Sequence, residues 1–282
     1  SYSNKIIFAP DLTAANFIQA NQGANFVISF TSSPDTISLK NLQGSTVNGK
    51  YIFKFTLEGT AQADVITGSD LGEPRFGDII LGNAGNDQLF GLGGLDELFG
   101  GDGNDRLDGG ADIDFYFGGA GDDVLGGGAG TDDFFDGLNE YHGEAGDDTL
   151  LGTDDNDRYV FNLGDGHDTI IEDLGYLNGY SHDDILIFGA GITASAITAD
   201  FTGSDLVINI SATDTVTIRR WLDSGGYYVD QFRFADGTRM TSSDLTRIAL
   251  TQLGTAGDDI LDGTPDVTDT LLGLGGNDVL NG

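Results

Sequence analysis

Six consecutive nine-residue repeats, running without insertion from Gly82 to Phe135, constrain this chain more than any other feature. They read GNAGNDQLF, GLGGLDELF, GGDGNDRLD, GGADIDFYF, GGAGDDVLG and GGAGTDDFF. Self-similarity at a short fixed period marks a coil of stacked, near-identical units. The sixth position is always aspartate: Asp87, Asp96, Asp105, Asp114, Asp123 and Asp132. The eighth is apolar throughout, as Leu89, Leu98, Leu107, Tyr116, Leu125 and Phe134. Glycines at positions 1, 2 and 4 are expected to let the backbone turn tightly and aim carbonyl oxygens inward.

The ends of each unit therefore supply oxygen, and its middle supplies a short strand. Two repeats, eighteen residues, are expected to make one turn of a flattened right-handed coil, with position 8 pointing into its core. Loops eighteen residues apart then stack, and an ion between them takes ligands from both. The expected ligands are the sixth-position aspartates with Gly82 and Gly85, Gly91 and Gly94, Gly100 and Gly103, Gly109, Gly118 and Gly121, and Gly127 and Gly130. Asp112 stands where the fourth repeat should have glycine, and a distorted loop is expected there. The pairs are Asp78 with Asp96, Asp87 with Asp105, Asp96 with Asp114, Asp105 with Asp123, and Asp114 with Asp132. Oxygen-only ligation by carboxylates and flexible carbonyls suits calcium. Magnesium needs a smaller, stricter octahedron, and zinc prefers nitrogen or sulfur.

Charge argues the same way. With 46 acidic residues against 12 basic ones, the formal charge is -34. Self-repulsion at that density opposes any compact state unless cations neutralise it. Nucleic acid and anionic membrane surfaces are poor partners for such a chain. No cysteine occurs, no apolar run reaches the length of a membrane span, and no signal peptide is visible. Both ends read as boundaries of a segment cut from a longer protein.

Less regular copies flank the central run. Upstream are Asp64 in GTAQADVIT and Asp78 in GDIIL. Downstream, GEAGDDTLL carries Gly143, Gly146 and Asp148, GTDDNDRYV carries Asp157, and LGDGHDTII carries Asp168. The spacing from Asp132 to Asp148 breaks the register around Asn139 to His142. The pattern resumes with Asp259, Asp269 and Asp278. Residues 1–58 and 172–253 are instead rich in β-branched and aromatic residues with period-2 alternation, and no amphipathic helix of normal length is evident. They resemble each other at an offset of roughly 180 residues, as in YIFKFTLEGT from Tyr51 against YVDQFRFADGT from Tyr228. The segment from Met240 to Leu253 has no counterpart in the first copy. Four units follow: a β-rich domain at 1–58, a β-roll at 59–171, a second β-rich domain at 172–253, and the start of another roll at 254–282.

Residues 59–171 and 254–282 resemble the repeats-in-toxin family, whose calcium-binding nonapeptide G-G-x-G-x-D-x-U-x is matched here by recognition. Residues 172–253, through NLGDGHDTI just upstream, DDILIFG, DTVTIRRWL and FRFADGT, resemble the haemolysin-type calcium-binding-related domain. The resemblance implies an all-β chain, a parallel β-roll flanked by β-rich domains, several bound Ca2+ ions, folding after export by a type I secretion system, and a secreted, extracellular or cell-surface location. It is expected to be a calcium-binding module of an adhesin or surface-array type of protein and not an enzyme. The rival readings are the non-catalytic tail of a secreted hydrolase or epimerase, and a carbohydrate- or peptide-binding module.

Three histidines, His142, His167 and His182, form no triad or zinc constellation in the sequence, and Trp221 reads as an apolar structural residue. Position 9 should point outward where position 8 points inward. Leu81, Phe99, Phe117 and Phe135 are therefore expected to stack as an apolar row on one face. Another part of the chain would cover that row, or a protein or glycan partner would use it.

Overall fold

In the computed structural model, the strands within 17–51 are described by their backbone. Residues 56–68, 77–126, 138–153, 156–172, 183–223, 229–263 and 268–282 are also described. The first strands are β1 (Phe17–Gln22), β2 (Asn25–Phe30) and β3 (Thr36–Lys40), an antiparallel three-stranded sheet. A small ribbon of β4 (Thr46–Val47) and β5 (Lys50–Tyr51) follows.

From residue 56 the chain alternates between two sheets. One receives β6 (Thr56–Glu58), β8 (Ile79–Ala84), β10 (Glu97–Asp102), β12 (Phe115–Ala120), β14 (Leu138–Ala145), β16 (Asn156–Phe161), β18 (Ile185–Phe188) and β22 (Gln231–Phe234). The other receives β7 (Val65–Thr67), β9 (Gln88–Gly93), β11 (Arg106–Ala111), β13 (Val124–Gly126), β15 (Thr149–Leu151), β17 (His167–Ile171) and β21 (Thr215–Ile218). All these neighbours pair in parallel, and in the regular run the partner lies eighteen residues away, as Leu98 opposite Tyr116 and Leu89 opposite Leu107. The chain is a parallel β-roll.

The core follows directly from position 8. Ile80, Leu98, Tyr116, Tyr141, Tyr159, Leu186 and Phe232 stack from one sheet, each at most 1 % exposed. Leu89, Leu107, Leu125, Leu150 and Ile170 face them from the other. Each such side chain contributes about 1.5–3 kcal/mol relative to exposure. A rung with a polar residue at position 8 would forfeit that in a core two side chains thick. The rings of Tyr116 and Tyr141 stack at 4.8 Å, and those of Tyr141 and Tyr159 at 5.1 Å.

The glycines have two distinct duties. Among the described glycines of the regular run, those at position 4, and at position 2 of three repeats, take positive φ, as Gly103 (φ 133) and Gly101 (φ 110). Those at position 1 do not, and the expectation that they too turn the chain is corrected. They are needed for space: a Cβ on Gly100 would collide with the Asp105 carboxylate and the Gly118 carbonyl. Asp112 keeps the left-handed conformation (φ 73) that glycine would have supplied. Its carboxylate accepts from the Gly94 amide at 3.2 Å, so the loop is stitched to its neighbour.

Two register expectations change. The strand beside β12 is β14, which sets Phe117 opposite His142, and the outer row runs Leu81, Phe99, Phe117, His142, Val160. Phe135, with Gly127, Gly130 and Asp132, lies outside the described residues. The row is half-buried and stacked, Phe99 on Phe117 at 4.6 Å and Phe117 on His142 at 4.7 Å. The sheets also run on across residue 171 through β18, β21 and β22 before antiparallel strands finish them. These are β20 (Asp205–Asn209) and β19 (Thr198–Thr202) on one sheet and β23 (Arg239–Thr241) on the other.

One helix, α1 (Ser242–Ala249), packs on β19 within the segment that has no counterpart upstream. Thr241 and Asp244 form its capping box, satisfying amides at its start. Trp221, 2 % exposed, donates its indole N–H to Thr246 at 2.9 Å, a structural role. After it, β24 (Thr251–Leu253) pairs in parallel with β26 (Thr270–Leu272), and β25 (Ile260–Asp262) with β27 (Val279–Asn281). Among the described residues, no helix is long and apolar enough to cross a membrane.

Candidate metal centre

Each described sixth-position aspartate sits immediately before or at the start of its strand, where a loop enters the roll. Stacking the rungs turns these residues into two ladders, one along each edge. On one edge the Asp64 amide donates to Asp87 Oδ1 (2.7 Å), Asp87 to Asp105 (2.7 Å), Asp105 to Asp123 (2.7 Å), Asp123 to Asp148 (2.8 Å) and Asp148 to Asp168 (3.2 Å). On the other, the Asp78 amide donates to Asp96 (2.5 Å), Asp96 to Asp114 (3.0 Å), Asp114 to Asn139 (2.8 Å), Asp157 to Asp184 (2.8 Å) and Asp184 to Asp230 (3.2 Å). Four of the five expected pairs are brought together. The fifth, Asp114 with Asp132, falls outside the described residues, and the Asp114 amide donates to Asn139 Oδ1.

Each ladder bond uses one carboxylate oxygen. The second, Oδ2, of Asp87, Asp105, Asp123, Asp148 and Asp168 is buried and has no hydrogen-bond partner. A buried, unpartnered carboxylate oxygen is costly unless a cation or proton meets it. The first-position glycine shows what surrounds that oxygen. The point where a Cβ would lie on Gly82, Gly91, Gly100 or Gly118 is crowded by Oδ2 of the same repeat's aspartate and by the carbonyl of the first-position glycine one rung on. Carboxylate and carbonyl oxygens from two stacked loops thus converge where no side chain fits. That hard-oxygen donor set fits calcium. Gly85, Gly94, Gly103, Gly121 and Gly146 shape the turns between these points, and Gly109 and Gly143 repeat the crowding with Asp114 and Asp148.

Burial and like charge reinforce each other along the ladders. Burial, with smaller contributions from neighbouring carboxylates, pushes Asp123 up to about 8 and Asp148 up to about 6. The same effects push Asp168 up to about 9. Asp87 and Asp105 are raised for the same reasons, against the lowering effect of the amides they accept. These groups need either a proton or a cation.

At the second, shorter roll Asp259 and Asp278 join by the same bond at 3.0 Å, nineteen residues apart, and Asp269 crowds Gly263. His142 pairs with Glu140 at 2.8 Å beside Arg158, and His167 contacts Thr215 at 3.0 Å, so both are structural. His182 lies outside the described residues.

Sequence reasoning missed Asn139, Asp184 and Asp230, and Asp214, whose Oδ1 accepts from the Gly164 amide at 3.2 Å. The available signal was an acid or amide two residues before an apolar core position, as in Asn139–Tyr141, Asp184–Leu186, Asp214–Val216 and Asp230–Phe232, with no glycines to announce it.

Two oxygen ladders on a parallel roll define a calcium-binding β-roll. The chain carries RTX calcium-binding nonapeptide repeats, matched at residues 76–107, 108–138, 135–170 and 266–282, and the haemolysin-type calcium binding protein related domain, matched at 205–244. Its repeats bind Ca2+ at several sites. No curated protein matches the chain.

Proposed function

We propose that this chain is a module of a larger secreted or cell-surface protein, of the adhesin or surface-array type, whose folding is conditional on extracellular calcium. The ions lie between stacked loops and take Oδ2 of the sixth-position aspartates with first-position carbonyls. The single observation that carries this reading is the set of buried, unpartnered Oδ2 atoms of Asp87, Asp105 and Asp123, each converging with the first-position glycine carbonyl one rung on. Recurrence of the roughly 180-residue unit favours a long repetitive parent over an enzyme tail. Equivalent loops repeated along a roll provide no unique catalytic cleft, so the segment itself is assigned no catalysis. The units 1–58, 59–171, 172–253 and 254–282 are proposed as sequence repeats that share continuous sheets where the roll passes from one to the next.

Calcium titration of the full chain, followed by calorimetry and native mass spectrometry, tests the assignment. Binding of several ions with dissociation constants of about 0.1–1 mM, not reproduced by equal magnesium, is expected. Binding of none, or equal response to magnesium, would overturn it.

A further inference from the structure

The regular pattern fails at one interior point. Gly68, Gly91, Gly109 and Gly152 lie within or just after four strands of one sheet, each in the first position of its repeat; the corresponding residue of the rung between Gly109 and Gly152 lies outside the described residues. At the next rung, after Ile171, that position is Glu172. A first-position side chain has only one way to go, into the roll. Glu172 goes there: a Cβ on Gly152 would collide with its Oε2 and with the Tyr159 hydroxyl, and would itself lie 3.0 Å from Asp157 Oδ2.

We propose that Asp157, Glu172 and Asp184 form a three-carboxylate site inside the roll that holds one divalent, oxygen-preferring cation of the calcium class more tightly than the ladder sites. One oxygen from each lies within 4.8 Å of the others. An ion with ligands at 2.3–2.6 Å spans oxygens up to about 5 Å apart, so a single calcium can touch all three.

Neighbouring bonds hold two of the three carboxylates in place. Asp157 Oδ2 accepts from the Thr153 amide at 2.7 Å, and Asp184 Oδ1 accepts from the Asp157 amide at 2.8 Å. A second, independent observation points to a ligand. The Tyr159 hydroxyl, on a residue with 0 % exposure, is aimed at the same spot with no partner besides the Glu172 carboxylate, and Glu172 Oε1 is buried and unpartnered. A protein that merely tolerated a stray glutamate here would bury its charge against Asp157 and Asp184 with only the Tyr159 hydroxyl to offset it. Burial, then the charges of Asp184 and Asp157, raises the Glu172 carboxyl well above its ordinary range, as expected where like charges converge.

The placement also suggests a purpose. Asp157 lies in β16, Glu172 directly follows β17, the last strand before residues 173–182, and Asp184 directly precedes β18, the first strand after them. An ion held by Glu172 as well as both aspartates ties the glycine-rich rungs to the strands that finish the roll. Carboxylate count tunes affinity across orders of magnitude, and a third carboxylate on one ion raises it above that of a two-carboxylate site.

This inference rests on the calcium-binding reading of the roll, and the test separates the two. Ion occupancy of the full chain is followed by native mass spectrometry across buffered free calcium, for the parent, Glu172→Gln and Glu172→Gly. Glycine restores the residue that earlier rungs carry, so it guards against a variant that fails to fold. The parent is expected to keep one ion at calcium levels that empty the others. Both variants are expected to weaken that site at least about tenfold and leave the remaining ions unchanged. If the parent binds calcium but neither variant changes its tightest site, Glu172 is no ligand and the proposal falls while the ladder reading stands. If the parent binds no calcium, the ladder reading falls with it.

Discussion

Replacing Asp105 separates the two jobs that each ladder aspartate performs. Its Oδ1 accepts the Asp87 amide, its own amide donates to Asp123, and its Oδ2 is assigned to the ions on either side. Asparagine keeps the first job, as Asn139 does for the Asp114 amide at 2.8 Å, and removes charge from the second. If each of two sites weakens about tenfold, the loss at saturating calcium is about 1.4 kcal/mol per site, close to 3 kcal/mol together. Alanine also strands the buried Asp87 amide, adding about 1–3 kcal/mol. Without calcium the sign changes for asparagine. Burial and the Asp87 charge disfavour the Asp105 carboxylate, so neutralising it costs nothing or helps. The assay is urea unfolding in saturating calcium, paired with far-ultraviolet circular dichroism in chelator. Asp105→Asn should be weaker than the parent in calcium and no less structured in chelator. An equal deficit under both conditions would refute the argument, because it would show that the carboxylate acts through the ladder bond alone.

Two further outcomes follow from the same geometry. In the cation-free chain Asp148, Asp123 and Asp168 have folded values of about 6, 8 and 9, above the unfolded value near 4, so the folded form holds extra protons. Its stability is therefore highest below about pH 4 and falls as pH rises toward 9, and calcium binding at pH 7 should release protons, measurable by calorimetry in buffers of different ionisation enthalpy. A calcium response without proton release would contradict it. Gly100→Ala should cost about 1–3 kcal/mol in calcium, because its Cβ collides with Asp105 and the Gly118 carbonyl; thermal unfolding unchanged by the substitution would show that the first position has room.

The parts of the fold that were legible in the sequence are those where local pattern and rung coincide. From Ile80 to Leu125 the apolar eighth position and the eighteen-residue step give both the core and the aspartate pairs. The expectation fails where a local motif does not say which rung it occupies. GGAGTDDFF fits the repeat as well as its predecessors do, yet the strand that joins β12 is Leu138–Ala145, which lacks the leading glycines. Beyond Ile171 the rungs are built on D-x-apolar triplets such as Asp184–Leu186, whose strand pairing supplies the regularity that glycines supplied upstream. Glu172 was invisible for the opposite reason. Only stacking shows that the residue after Ile171 stands where Gly152 stands one rung earlier.

The most direct test of the central claim is far-ultraviolet circular dichroism of the full chain at neutral pH, first in chelator, then with calcium, then with equal magnesium. A chain with formal charge -34 and buried, unpartnered carboxylate oxygens along its roll should be largely unstructured in chelator. It should gain its β-sheet signal cooperatively at about 0.1–1 mM calcium and not with magnesium. A chelated chain that keeps the full β signal and the same thermal midpoint would show that the roll stands without ions, and the account would be wrong.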